Sequence, residues 1–151
     1  MPNPCSLFEI ILNESNKGTQ APAVRSPGKE TLTYGEISRH LKSITQQLSR
    51  QGFRYGHRLA IVLTNGPETA TVFLAISSVC ARVPLNPAYF FDEFLFSLSD
   101  LHIKALVILQ GMGLRQPLAD FSVSVDPDKP GKLISINSCP DKPSDWKMSC
   151  I

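Results

Sequence analysis

The sequence predicts an α/β fold, a partial doubly wound, mostly parallel sheet flanked by helices. Two features carry that prediction. Leu59-Ala60-Ile61-Val62-Leu63 and the run over residues 104–109 are apolar with no polar alternation, the pattern of inner strands covered by helices on both faces. Segments with apolar residues at helical spacing precede and separate them. Strand alternating with helix argues for a parallel sheet with crossover helices, and 151 residues is about the length of one domain.

The clearest helix covers residues 33–51. Ile37, Leu41, Ile44 and Leu48 form one stripe, which must face a core. Thr33-Tyr34-Gly35-Glu36 is a capping box, whose hydroxyl and carboxylate satisfy amides left over in the first turn. Gly52 supplies a left-handed stop. A Gly56-His57-Arg58 turn leads into the first inner strand, residues 59–63. Asn65-Gly66-Pro67-Glu68 then caps a helix through Val72, Phe73, Ile76 and Val79, with proline and an acid in its first turn. A short strand over residues 82–85 ends at Pro84 and Pro87, which lack amide donors for a continuing ladder. Phe91, Phe94, Leu95 and Leu98 set a third helix over residues 92–101, and residues 104–109 form the next strand.

Beyond Gln110 the character changes, and the expected division is an N-terminal unit over residues 1–110 and a turn-rich, loosely packed tail over 111–151. Asp126-Pro127-Asp128-Lys129-Pro130-Gly131 and Cys139-Pro140-Asp141-Lys142-Pro143 are turns, and only residues 132–136 read as a strand. Acids at 126, 128, 141 and 145 balance lysines at 129, 132, 142 and 147, so the tail is no charged arm.

With 42% hydrophobic residues, 19% charged and a net charge of +2, composition makes no electrostatic case for nucleic acid or an anionic membrane. The longest apolar runs fall far short of the roughly 20 residues a bilayer needs. Neither a secretory leader nor a peroxisomal tripeptide is legible at the ends of the sequence. The expectation is a soluble, cytoplasmic protein. Cys5, Cys80, Cys139 and Cys150 lack metal-ligand or paired spacing and read as reduced thiols; Cys80 lies on the apolar side of its helix as a small buried hydrophobe.

A search for catalytic chemistry returns structural readings. Gly111-Met112-Gly113 has no lysine or hydroxyl placed as a phosphate loop requires and reads as a turn. His40, His57 and His102 fall in separate elements without local acid or cysteine partners, and His40, on the polar side of its helix, and His57, in a turn, read as solvated. Arg50, Arg54 and Arg58 are interrupted by Gly52 and Gly56, with Arg50 suiting the negative end of its helix. Asp92 and Glu93 suit the positive end of theirs. Tyr89, Phe90, Phe91, Phe94 and Phe96 read as packing. No catalytic, cofactor-binding or metal residue is assigned.

Leu32-Thr33-Tyr34-Gly35-Glu36, Gly52 to Ile61, Asn65-Gly66-Pro67-Glu68, Phe73-Leu74-Ala75-Ile76, Pro84-Leu85-Asn86-Pro87-Ala88-Tyr89 and Asp92-Glu93-Phe94, in this order, resemble the N-terminal part of the AMP-forming acyl-CoA synthetase and adenylate-forming enzyme superfamily. Glu93-Phe94 and Leu98-Ser99-Asp100 look closest to its oxalate–CoA ligase and peroxisomal CoA synthetase-like branch. The likeness fades after about Leu109, and Cys80-Ala81-Arg82 replaces a Gly-Ala pair of many relatives, implying local repacking. The resemblance implies the N-terminal portion of the large domain of an AMP-binding ligase. Acid adenylation needs lysine, backbone amides and magnesium around the ATP phosphates. The family's phosphate loop, nucleotide contacts and catalytic lysine lie downstream of the matched region.

From this comes the expectation of an N-terminal fragment of an ATP-dependent acid–CoA ligase, inactive alone. ATP, Mg and CoA, and a small carboxylic acid substrate, are implied only for full-length relatives, and peroxisomal residence only by family. The alternatives are a non-catalytic interaction module that associates with itself, an intact relative or a separately encoded remainder, and a free-standing doubly wound domain with a pocket at a strand-order switch point.

Overall fold

A computed structural model of the chain describes residues 7–89, 91–110, 121–125 and 133–138. The elements are α1 (Leu7–Lys17), β1 (Pro22–Val24), β2 (Leu32–Thr33), α2 (Tyr34–Arg50), β3 (Arg58–Val62), α3 (Pro67–Ser77), β4 (Ala81–Pro84), α4 (Phe91–Asp100), β5 (Ala105–Leu109), β6 (Phe121–Val125) and β7 (Leu133–Ser138). Five strands form one sheet in the order β4-β3-β5-β6-β7, while β1 and β2 pair separately. The β4/β3, β3/β5 and β5/β6 pairs are parallel. Within the five-stranded sheet β7 runs antiparallel, against β6, and the separate β1/β2 pair is antiparallel too.

Helix α2 begins as its capping box dictates. The Glu36 amide donates to the Thr33 hydroxyl at 3.3 Å, and the Thr33 amide donates to the Glu36 carboxylate at 2.8 Å. At the other end Gly52 adopts φ 81°, and the Phe53 amide donates back to the Leu48 carbonyl at 3.0 Å. That reversal drives Phe53 into the core, where side-chain burial of this kind stabilises by about 1.5–3 kcal/mol.

Side-chain alternation in β3 and β5 sorts two cores. Leu59, Ile61, Ala105 and Val107 face α2 and α3, meeting Leu41, Ile44, Leu48, Val72 and Ile76. Ala60, Val62, Leu106 and Ile108 face the opposite way, meeting Phe94 and Leu98 of α4. The doubly wound expectation is thereby met, since crossovers α3 and α4 lie on opposite faces of one parallel sheet.

The structure corrects the sequence reading in three places. Helix α1 and strand β1, which were not read at all, pack ahead of α2. Beyond Gln110 there are two strands rather than one: β6 continues the parallel sheet from β5, and β7 occupies Leu133–Ser138. The Phe-Ser-Val-Ser-Val alternation of β6 is a period-two signal, hidden by short length and two serines. Helix α3 ends at Ser77, so Cys80 lies in the turn before β4, with its amide bonded to the Ile76 carbonyl at 2.7 Å. The Asn65-Gly66-Pro67-Glu68 start of α3 is as expected, with Gly66 at the N-cap, Pro67 at the first helical position and Glu68 in the first turn. The turns at 126–131 and 139–143 lie outside the described residues.

Candidate functional site

In open α/β sheets ligands settle beyond the carboxyl ends of the strands, where strand order reverses. Here β3 leads through α3 to β4 on one side, and β4 leads through α4 to β5 on the other, so the reversal lies between β3 and β5. A cleft of about 620 Å³ opens at this end of the sheet. Its walls come from Ile61, Leu63, Thr64 and Asn65 after β3, Thr69 and Phe73 on α3, and the stretch from Pro84 to Tyr89 after β4. The cleft therefore sits on the β3/β4 side of the reversal. The chain that follows β5 there begins at Gly111, outside the described residues, as does the whole Gly111-Met112-Gly113 turn.

The two loops are held by local bonds. The Leu85 amide donates to the Ile61 carbonyl at 2.9 Å, extending the pairing one residue past β4. The Ala88 amide donates to Asn86 Oδ1 at 3.0 Å, an Asx turn that lets Pro87 follow without a ladder. Across from it the Thr69 hydroxyl donates to the Thr64 carbonyl.

Behind the Thr64-Asn65-Gly66 loop lies a feature with no local sequence signal. Glu68 is 4% exposed, and its Oε1 accepts from Lys29 Nζ at 2.7 Å. Its Oε2 is buried without a hydrogen-bond partner. The pair ties the turn between β1 and β2 to the start of α3, across 39 positions of sequence. A Cβ at Gly66 would stand 2.7 Å from Glu68 Oε1, so a larger residue there would push the carboxylate aside.

Among the described residues the cleft lining contains no lysine, arginine, histidine or carboxylate. Such a set does not fit a nucleoside triphosphate with its magnesium ion, which calls for cations and acidic ligands. Among the described residues no three His, Cys, Asp or Glu side chains gather at metal-holding distance. A second hollow of about 410 Å³, between α1 and the start of α2, includes Ser15, Thr19, Glu36 and Arg39. Its carboxylate is already engaged: the Thr33 backbone and then the Thr33 hydroxyl hold the Glu36 carboxyl below its usual value.

The residues singled out from sequence do not converge. His57 Nδ1 accepts from the Arg54 amide at 3.4 Å and its ring meets Phe53 edge-on at 6.2 Å. His102 stands at φ 50° past the end of α4, exposed. His40 corrects the solvated reading: it is half-buried, its Nδ1 is buried without a partner, and burial lowers its pKa. Desolvation also pushes the Cys80 thiol up to about 11, which keeps it protonated and unreactive. Asp92 and Glu93 are exposed in the first turn of α4. The aromatic run divides, with Phe94 in the core, Tyr89 on the cleft and Phe96 exposed; Phe90 and the Phe91 side chain lie outside the described residues. Arg82, at the departure from the usual Gly-Ala pair, covers the Phe73 ring at 4.6 Å.

No helix among the described residues is long and apolar enough to cross a membrane. The chain is 26% identical over 125 residues to tyrocidine synthase 3 of Brevibacillus parabrevis, covering 82% of this chain and 2% of that protein. It is 31% identical over 104 residues to oxalate–CoA ligase of Arabidopsis thaliana, covering 68% of this chain and 20% of the ligase. The crystal structure of IdnL1 superposes with a TM-score of 0.75 at 22% identity, covering 91% of this chain and 28% of that one. The chain thus spans a small part of each of these relatives. A family profile described as AMP-binding enzyme matches residues 13–147, well past Leu109 where the sequence likeness was read as fading. With nearly the whole chain inside that match and the sheet order to accompany it, the protein belongs to the AMP-binding enzyme family.

Proposed function

We propose that this chain supplies scaffold for an ATP-dependent, AMP-forming acid–thiol ligase and does not adenylate an acid by itself. The observation that carries the reading is the conjunction of family membership over residues 13–147 with a cleft at the carboxyl ends of β3 and β4 whose described lining is uncharged. Adenylation places a growing negative charge on pyrophosphate, and the described lining, without a cation, does not offset it. The role left to the described residues is mechanical. The helices α2, α3 and α4 hold β3 and β5 in a rigid sheet, and sites built on such elements are positioned more precisely than sites on loops. ATP, magnesium, CoA and a small carboxylic acid belong to the complete ligase under this reading, with oxalate suggested by the name of one relative.

Acid-dependent exchange of pyrophosphate into ATP is the deciding assay, run with the purified chain and a panel including oxalate. The expected result is no exchange above background. Exchange that depends on one acid would overturn the scaffold reading. The alternative of a non-catalytic module pairing with an intact or separate relative draws support from Leu7 and Ile10 on α1 and Phe96 on α4, all exposed. A strictly monomeric chain that fails to co-purify with a full-length relative would remove it.

A further inference from the structure

The hollow of about 410 Å³ between α1 and the start of α2 shares no residue with the cleft, and its described lining is polar throughout apart from Gly35. Two backbone bonds build it. The Tyr34 amide donates to the Ala21 carbonyl at 3.0 Å and the Gly35 amide to the Thr19 carbonyl at 2.9 Å, which seats the turn at Thr19 and Gln20 on the first turn of α2. A Cβ at Gly35 would stand 2.9 Å from that Thr19 oxygen, so the close approach depends on glycine. With the Glu36 amide donating to the Thr33 hydroxyl at 3.3 Å, the first-turn amides of α2 are all engaged, and the hollow offers side chains rather than a helix end.

Ser15, Glu36 and Arg39 have unused bonding capacity there. Ser15 on α1 is 6% exposed and lines the hollow. The hydroxyls of Thr45, Ser77 and Ser78 turn back onto helix carbonyls, whereas that of Ser15 bonds no other described residue, a state that costs free energy unless something in the hollow answers it. Glu36 spends only Oε2 on the capping box, accepting there from both the amide and the hydroxyl of Thr33, and no described residue bonds its Oε1. The Thr33 bonds that hold this carboxyl below its usual value keep it anionic at neutral pH. Arg39, exposed one turn further on, is placed to pair with an acid three residues before it. Glu36 is instead turned back to Thr33, and Arg39 forms no ion pair among the described residues.

We infer that this hollow is a binding site for a small zwitterion, with Arg39 taking its carboxylate, Glu36 Oε1 its ammonium and the Ser15 hydroxyl a further bond from the buried side. The two charges stand one helical turn apart, about 5–6 Å between Cβ atoms, a span that a molecule with ammonium and carboxylate a few bonds apart can bridge. A guanidinium fork receives a carboxylate two bonds at a time, and a hydroxyl can donate to one end of such a ligand or accept from the other. Charge also selects against the alternatives. A simple anion meets the Glu36 carboxylate beside Arg39, and a simple cation meets the guanidinium beside Glu36, so either half alone gains less than the whole. The inference stands whether or not the ligase reading does.

Titration of the full, nitrogen-15-labelled chain with γ-aminobutyrate, followed through the amide resonances of Thr19, Gln20 and Gly35, tests it. Butyrate and butylamine serve as the two halves of the same probe. Saturable shifts are expected at those amides with a Kd of about 1 mM or below, and binding of either half about tenfold weaker. Arg39→Gln and Glu36→Gln are each expected to weaken the zwitterion about tenfold and Ser15→Ala about threefold; glutamine at position 36 can still close the capping box. Arg25→Gln, the loss of an exposed charge elsewhere, is expected to leave binding within about twofold. Circular dichroism checks that each variant is folded. No saturable shift with γ-aminobutyrate, binding of butyrate or butylamine as tight as that of the zwitterion, unchanged affinity in any of the three site variants, or an equal loss with Arg25→Gln would each overturn the assignment.

Discussion

The two faces of the sheet are covered unequally. On one, α2 and α3 together bury Leu59, Ile61, Ala105, Val107, Val123 and Val125, and α1 adds Phe8 and Ile11 at the margin. On the other, α4 is the one helix among the described residues that covers Ala60, Val62, Leu106 and Ile108, with Ile103, Leu85 and Leu101 at the margin. The strands carry similar side chains toward both sides, so the imbalance comes from the helices and not from the sheet. A side chain on the heavily covered face is locked by neighbours that cannot collapse around a void. On the lightly covered face one helix can shift to fill it, and the cost of a cavity depends on such collapse.

The largest expected effect breaks the heavy face. Leu41 is fully buried on α2, and Leu41→Ala is expected to cost about 3–5 kcal/mol, whereas Leu98→Ala on α4, 1% exposed, costs about 2–3 kcal/mol. Urea unfolding of both variants measures the gap, and an equal or larger loss for Leu98→Ala would dissolve the contrast between the faces.

A smaller effect sharpens the comparison at the start of α3. Gly66→Ala drives a methyl against the Glu68 carboxylate and separates it from Lys29, so a loss of about 1–3 kcal/mol is expected, as for other overpacked sites. Lys29→Met separates the two causes: if steric crowding dominates, Gly66→Ala remains costly in that background. Equal stability of Gly66→Ala and the parent chain would show that the carboxylate has room to move.

The smallest effect concerns pH. His40 has its folded pKa lowered from 6.5, first by desolvation and then by Arg39, with Glu36 opposing. The unfolded chain therefore takes up its proton first as pH falls, and stability declines from about pH 6.5 downward until the folded form protonates too. Above that window both states are neutral and the group contributes no slope. His40→Gln is expected to flatten this segment of the stability profile, read from urea midpoints across the window; an unchanged slope would assign it to other groups.

Much of the fold was legible because its signals are local. The Thr33 and Glu36 box, the left-handed Gly52 and the stripe of Ile37, Leu41, Ile44 and Leu48 all act within one or two turns of chain. The motif order through Tyr89 and Asp92 pointed to the family for the same reason. Strand β6 escaped because half of it is serine and its apolar half makes sense only once Val123 and Val125 lie beside β5. His40 looked solvated on a helical wheel, which knows nothing of neighbouring helices. The candidate cleft could not be read at all, since Ile61, Phe73 and Pro84 are neighbours only through the crossover.

By itself the sequence determined where α2, β3, α3, α4 and β5 lie and which way the side chains of β3 and β5 alternate, because backbone sterics, capping bonds and hydrophobic spacing act between near neighbours. Tertiary structure alone decided the strand order, the pairing of Lys29 with Glu68 and the placing of Arg82 over the Phe73 ring. Those depend on which strands hydrogen-bond across long loops, and the free energy that selects them comes from burying two opposite faces of the same sheet at once.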